Sequence, residues 1–138
     1  MGGLLIADVL VVLLLPHGKS RPVAWRDASS QVGPVLTSDL TRRLFRTPAQ
    51  FKEFFGSDAQ APVDFSTRQL LLISPGPRSS TGYSVRILSV TERDDAITVK
   101  VRERTPGLGT RVDPHVTYPY QLITLPAGED VFVDWVGR

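Results

Sequence analysis

The chain lacks cysteine altogether and contains only two histidines among its 138 residues. The absence of cysteine excludes disulfide bonds and thiolate metal sites, so the fold has to be stabilised by its own hydrophobic core. A chain of this length is able to bury such a core. His115 has one acidic neighbour at close spacing, Asp113, and no third ligand can be named for a metal ion. The sequence therefore predicts neither a metal site nor a cofactor.

A concentration of one charge sign is also missing. The 16 lysines and arginines stand against 14 aspartates and glutamates, which leaves a net charge of +2. The basic residues are scattered along the chain, whereas a nucleic-acid-binding domain usually gathers them on one face. The length and the 41% content of hydrophobic residues are those of one ordinary globular domain. We therefore predict a single domain that does not bind nucleic acid.

Long apolar runs are absent apart from one near the N-terminus, from Leu4 to Leu15. This run is too short to span a bilayer but has the length of the apolar region of a signal peptide. No basic residue precedes it and Asp8 interrupts it, which is atypical of an export signal. Two other interpretations of this run are open. It could be a buried strand or helix of the domain, or the true start of the protein could lie upstream of Met1. We expect a signal-like segment and linker at 1–21, a domain at 22–138, and a secreted, periplasmic or cell-envelope location, with a cytoplasmic one left open.

The remainder of the chain is dominated by patterns typical of β-strands. Gly82 to Val90 and Ala96 to Glu103 alternate between apolar and polar side chains and predict a hairpin joined by residues 91–95. Gln69 to Ser74 is a short apolar run bounded by turn residues, which is typical of a central, buried strand. Further strands are predicted at 23–27, 40–46, 116–125 and 131–136.

One helix is predicted, at about 47–55. Thr47 suits the N-cap, Pro48 suits the first helical position, and Gln50 completes a capping box. Phenylalanines at helical spacing form one apolar face: Phe51, Phe54 and Phe55. A helix this short is marginal on its own in water, so it must dock on a sheet. We expect a mainly β fold, an antiparallel β-sandwich or curled sheet with this helix packed across one end.

The same patterns predict which side chains form the core. They are apolar residues of the helix and of the inward strand faces: Phe51, Phe55, Phe65, Leu71, Ile73, Tyr83, Val85, Ile87, Ile97, Val99, Val101, Tyr120, Leu122 and Trp135.

Four blocks of the sequence, taken in order, resemble the C-terminal domain of the protease complex subunit PrcB family. They are 62–66, 81–85, the pattern Val99-x-Val101-x-Glu103-x-x-Pro106-Gly107-x-Gly109, and 117–120. The resemblance extends over about residues 23–135. It departs from the family where a single Gly82 separates Thr81 from Tyr83, since the family often has two glycines there.

The resemblance implies a small, exported bacterial domain that acts through protein–protein contacts and not through catalysis. The expected role is that of an accessory or stabilising subunit of an exported or cell-envelope protease or other complex. The family brings no active site to carry over. A serine nucleophile can be written as Ser84 with His115 and Asp113 or Asp64, but no nucleophile elbow surrounds Ser84. We therefore expect that the protein is not an enzyme.

The residues expected to contact a protein partner lie in three polar loops, at 78–83, 105–111 and 113–118. Glycines, prolines and tyrosines in such loops suit recognition from a rigid sheet. The candidate binding residues are Thr81, Gly82, Tyr83, Pro106, Gly107, Gly109 and Tyr118. The alternative is that they are turn residues without a further role.

A second function follows from another resemblance. Thr81-Gly82-Tyr83 looks like a loop of chagasin-type inhibitors of cysteine proteases, which are immunoglobulin-like β domains whose loops plug the protease cleft. The partner loops would be 105–110 and 113–115. The block at 62–66 does not belong to that inhibitor pattern, so inhibition stands second to the accessory role.

Overall fold

The structure is a computed structural model that describes residues 19–137. The apolar run Leu4 to Leu15, with the signal-like role expected for it, lies outside the described residues. The elements are β1 (Arg21–Pro22), β2 (Arg26–Asp27), β3 (Thr41–Phe45), α1 (Pro48–Phe55), β4 (Arg68–Ser74), β5 (Ser84–Arg93), β6 (Ala96–Arg104), β7 (Gln121–Pro126) and β8 (Asp130–Trp135). A single turn of 3-10 helix, Ser29–Gln31, follows β2.

The strands form two four-stranded sheets that face each other. The first sheet has the order β1-β5-β6-β8 and the second has the order β2-β7-β4-β3. Every pairing is antiparallel except that of β6 with β8, which is parallel. The mainly β sandwich with one short helix is thus confirmed.

The second sheet is buried on both faces, which explains the continuous apolar run of β4. Leu71 and Ile73 point towards the first sheet and pack in one core cluster with residues of β5, β6 and β7. Leu70 and Leu72 point the other way, into a second cluster closed by α1 and neighbouring loops. Successive side chains of a strand face opposite sides, so a strand between two apolar layers has no polar face.

The helix α1 begins and ends where the sequence predicts. The Thr47 hydroxyl accepts a hydrogen bond from the Gln50 amide at 3.1 Å. The Gln50 side chain in turn accepts from the Arg46 amide at 2.7 Å, one residue before the N-cap. Gly56 ends the helix at φ +113°, a conformation that L side chains rarely adopt. The apolar face packs around Phe45 of β3, which the predicted core omitted.

Several core residues are confirmed as buried, and others are only half-buried. The buried ones are Phe51, Leu71, Ile73, Val85, Ile97, Val99, Val101 and Leu122. The half-buried ones are Phe55, Phe65, Tyr83, Ile87, Tyr120 and Trp135. The prediction missed buried residues because it did not foresee that the second sheet is covered on both faces: Phe45, Leu70, Leu72, Ile123 and Leu125.

Three predicted strand boundaries were wrong. The β5–β6 hairpin closes through only Asp94 and Asp95, whose φ values of 52° and 62° form a two-residue turn. The strand predicted at 116–125 begins only at Gln121, because Pro119 has no amide hydrogen to donate to a sheet ladder. The strand predicted at 23–27 is replaced by the short β1 and β2, one in each sheet.

Candidate functional site

Three loops meet at the end of the sandwich where β5 begins and β6 ends. They are residues 78–83, 105–111 and 113–118, which together we call the loop platform. The Thr81 amide donates to the Asp113 carbonyl at 3.1 Å, and the Asp113 amide donates to the Thr81 hydroxyl at 2.8 Å. This reciprocal pair fixes the first loop against the third.

A short backbone bridge holds the same two loops at a second point. The Arg78 amide donates to the Thr117 carbonyl at 2.8 Å, and the Thr117 amide donates to the Arg78 carbonyl at 2.9 Å. The Thr117 hydroxyl adds a bond to the Ser80 carbonyl at 2.7 Å. Several backbone polar groups of these irregular segments therefore have partners within the platform, which makes its shape specific.

The second loop packs against the first through Gly82. Its φ is +96°, and a Cβ built there would lie 2.9 Å from the Pro106 side chain and 3.2 Å from the Val112 side chain. Any side chain at this position would push the two loops apart. Gly109 also has a positive φ, +78°, but its surroundings are open, so it shapes a turn without any close approach.

An ion pair anchors the platform to the first sheet. The Arg78 guanidinium donates two hydrogen bonds to the Glu103 carboxylate of β6, at 2.5 Å and 2.8 Å. The two side chains are only 25% and 11% exposed, so water screens them less than a surface pair. The hydrogen bond to Glu103 raises the pKa of Arg78 above its ordinary value. The same guanidinium lies 6.0 Å from the centre of the Tyr83 ring.

Two apolar side chains extend from the platform into solvent. Leu108 at the tip of the second loop is fully exposed, and Val116 in the third loop is 57% exposed. They are the exposed large apolar side chains of the platform; others lie elsewhere on the described surface, among them Leu36 and Phe132.

A cleft of about 420 Å³ opens on one flank of the platform. It is lined by Tyr83, Tyr118 and Tyr120, which are all the tyrosines of the chain. The rest of the wall consists of three serines, a valine, a proline and a glutamine: Ser29, Ser30, Ser84, Val85, Pro119 and Gln121. We call this feature the tyrosine cleft.

The structure brings together five of the seven predicted binding residues. Thr81, Gly82, Tyr83 and Pro106 lie at the junction of the first and second loops, and Tyr118 joins Tyr83 in the cleft. Gly107 and Gly109 stand apart, in the turn that carries Leu108, where the Thr110 amide donates to the Gly107 carbonyl at 3.1 Å.

Other residues of the site were missed from the sequence. Tyr120, a predicted core residue, packs against the second core cluster and also lines the cleft, where its hydroxyl donates to the Ser29 carbonyl at 3.1 Å. That all the tyrosines fall in or beside the predicted loops was an available signal. Ser30 gave no such signal, because it reaches the cleft from the 3-10 turn Ser29–Gln31, which is far away in sequence.

The other end of the sandwich carries a cluster of charged groups. Arg21 of β1 pairs with Glu92 of β5 through its guanidinium at 2.5 Å, and Glu129 lies against Glu92. The hydrogen bond from Arg21 lowers the pKa of Glu92. Burial, followed by the neighbouring Glu92 carboxylate, raises the pKa of Glu129. One Glu129 oxygen is buried and has no hydrogen-bond partner among residues 19–137.

We expect Glu129→Gln to be more stable than the natural chain at pH 7 and equally stable at pH 4. Glu129 binds its proton more tightly in the folded protein than in the unfolded chain. Its contribution to stability is therefore fully present below pH 4.5, the ordinary pKa of glutamate, and is lost as the pH rises through the raised pKa of the folded state. Glutamine imitates the protonated form and removes this loss. The difference in stability between the variant and the natural chain is measured by the urea unfolding midpoints at pH 7 and pH 4.

Glu92→Gln is the matched control. Because the pKa of Glu92 is lowered, its contribution is present at pH 7 and disappears on acidification. This variant should therefore lose stability at pH 7 and approach the natural chain at low pH. A Glu129→Gln variant that gains nothing at pH 7 would contradict the assignment.

The described residues offer no assembled metal site. Between residues 19 and 137, no three side chains of histidine, aspartate or glutamate lie close enough together to hold a metal ion. Asp64, one of the two acids considered beside Ser84, accepts hydrogen bonds from the Ser66 amide at 2.9 Å and from its hydroxyl at 2.7 Å. No helix within 19–137 has the length and apolar character needed to cross a bilayer.

One of the comparisons with known proteins found a match. Residues 70–126 match the family model described as PrcB C-terminal. This stretch is shorter than the resemblance over residues 23–135 described above. It runs from β4 to the end of β7 and contains the whole loop platform. No curated protein matches the chain significantly, and no solved structure does so. Over residues 70–126, the chain is therefore similar to the PrcB C-terminal family.

Proposed function

We propose that this protein is a non-catalytic interaction domain, an accessory or stabilising subunit of an exported or cell-envelope protease or other protein complex. The observation that carries the proposal is the loop platform, three loops held together by hydrogen bonds that expose Leu108 and Val116. The family match supports a protease-complex-related role, since it covers all three loops.

The construction of the platform suits a binding surface. Loops fixed in advance lose little conformational entropy when a partner binds, so more of the contact energy appears as affinity. The Arg78–Glu103 pair and the Thr81–Asp113 bonds provide this order without a ligand. Leu108 and Val116 then supply exposed apolar surface that a partner could cover.

The test is capture of a partner by the full chain, immobilised and exposed to envelope and secreted fractions of the source organism. We expect Leu108→Asp to reduce capture of the main partner at least about tenfold, as is usual when a central apolar contact is replaced. Leu36→Asp is the matched control, because Leu36 is also a solvent-exposed leucine, at 71% exposure, but lies outside the platform. Mass spectrometry identifies and quantifies the partner.

Equal capture by the two variants would contradict a binding role of the platform. A captured partner with no relation to proteases would keep the interaction role and reject the protease-complex assignment. Thermal unfolding of both variants shows whether either substitution disturbs the fold; both side chains are exposed, so changes within about 0.5 kcal/mol are expected.

Inhibition of a cysteine protease is the second candidate. The observation that favours it is the position of Thr81-Gly82-Tyr83 beside the loops 105–110 and 113–115, at one end of the sandwich. The same proteins decide the question: an inhibitor lowers papain activity in the natural form and in Leu36→Asp, and loses potency in Leu108→Asp. An accessory subunit leaves papain activity unchanged in all three forms.

A further inference from the structure

We propose that the tyrosine cleft binds a proline-rich, extended segment of the protein partner. This inference rests on the proposed function, because the partner that covers the platform would supply the segment. Tyr83 and Tyr118 belong at once to the platform loops and to the cleft wall, so the two surfaces are continuous.

The first argument is charge. Of the nine residues that line the cleft, none carries a formal charge, although 22% of the residues in the chain are charged. Acidic or basic segments would gain nothing from such a wall and would lose hydration on entering it. An uncharged ligand is therefore favoured.

The second argument is the supply of hydrogen-bond donors. The hydroxyls of Tyr83, Tyr118, Ser30 and Ser84 make no hydrogen bond to any residue between 19 and 137. A proline-rich backbone has carbonyl acceptors but few amide donors, because proline has no amide hydrogen. Free hydroxyls on the wall complement such a backbone.

The third argument separates a peptide from a sugar. Glycan recognition benefits from planar amide or charged groups that bond to neighbouring hydroxyls, and Gln121 is the only such group in the wall. Both ends of its amide are occupied, since Oε1 accepts from the Ser29 hydroxyl at 3.4 Å and Nε2 donates to the Val85 carbonyl at 3.2 Å. What remains is a set of rings and hydroxyls.

Rings and hydroxyls of this kind are the means by which several small β domains bind proline-rich peptides. The ligand adopts a polyproline II helix before it binds, so little entropy is lost on docking into an aromatic groove. The volume of about 420 Å³ falls in the range of sites that hold a ligand of a few residues.

The test is titration of the full chain with decaproline, monitored by calorimetry. Chitohexaose and oligoglutamate are titrated separately and represent the glycan and the acidic peptide as alternative ligands. We expect decaproline to bind and chitohexaose and oligoglutamate not to bind. Tyr118→Ala should weaken binding at least about tenfold, the usual effect of removing an aromatic anchor. Tyr118→Phe, which keeps the ring and removes the donor, should weaken it less, and Leu36→Asp, which lies outside the cleft and the platform, should leave it unchanged.

Binding of chitohexaose with the same dependence on Tyr118 would replace the peptide proposal by a glycan site. No binding of decaproline at millimolar concentration, or binding that Tyr118→Ala leaves intact, would overturn the inference. A failure of the proposed function can be distinguished from a failure of this inference. Partner capture that is insensitive to Leu108→Asp rejects the loop platform as the binding surface. Normal partner capture without decaproline binding rejects only the assignment of the tyrosine cleft. Circular dichroism of each variant verifies that it is folded.

Discussion

Replacing Phe45 with alanine is expected to lower the free energy of unfolding by about 3–5 kcal/mol. Phe45 of β3 has no exposed surface, and its ring centre lies 5.8 Å, 5.6 Å and 5.6 Å from those of Phe51, Phe54 and Phe55. The variant loses the buried ring, leaves a cavity between the second sheet and α1, and removes the surface on which the helix docks. Urea unfolding followed by circular dichroism gives the free energy directly.

The matched control is Phe132→Ala. Phe132 also lies on a strand, β8, but it is 58% exposed, so its removal should change stability by no more than about 0.5 kcal/mol. If the two variants were equally stable, the second core cluster would contribute little, and the helix could not depend on it.

Replacing Gly82 with alanine should have two effects, a loss of about 2–4 kcal/mol in stability and a loss of partner capture. The left-handed backbone at φ +96° is unfavourable for alanine, and its Cβ would lie 2.9 Å from the Pro106 side chain. The first and second loops would have to separate, so the platform would lose its shape. Chemical denaturation gives the first effect and the capture experiment the second.

Gly109→Ala isolates the contribution of backbone strain. Its φ of +78° is similarly unfavourable, yet no heavy atom lies within 4 Å of the added Cβ. The expected cost is about 1 kcal/mol, with capture retained. A Gly82→Ala variant that behaved like Gly109→Ala would show that the contact between the two loops is dispensable.

The sequence predicted those parts of the fold whose signals are local. Thr47, Pro48 and Gln50 specify the start of α1 within a few residues, and Gly56 specifies its end. The apolar run of β4 is long enough to be identified as a buried strand, although it does not reveal which layer covers each face. Short-range chemistry was sufficient in these places because the relevant partners are neighbours in the chain.

The rest could not be predicted because it depends on partners that are distant in sequence. The parallel pairing of β6 with β8 leaves no local trace, and neither does the entry of Ser30 into the tyrosine cleft. Asp94 and Asp95 form a tight turn with positive φ, but aspartate signals such a turn more weakly than glycine or asparagine. The loops were recognised as a candidate site, while the hydrogen bonds that unite them became visible only in three dimensions.

The way in which the chain passes between the two sheets has a consequence for folding. After β1 in the first sheet, the chain builds β2, β3 and β4 of the second, returns for β5 and β6, crosses again for β7, and ends with β8 in the first. Neither sheet is a continuous piece of chain, so each depends on contacts between segments that are distant in sequence. Closing such distant contacts is slow, and we expect the amide hydrogens of β6 and β7 to exchange with solvent only when the whole domain unfolds.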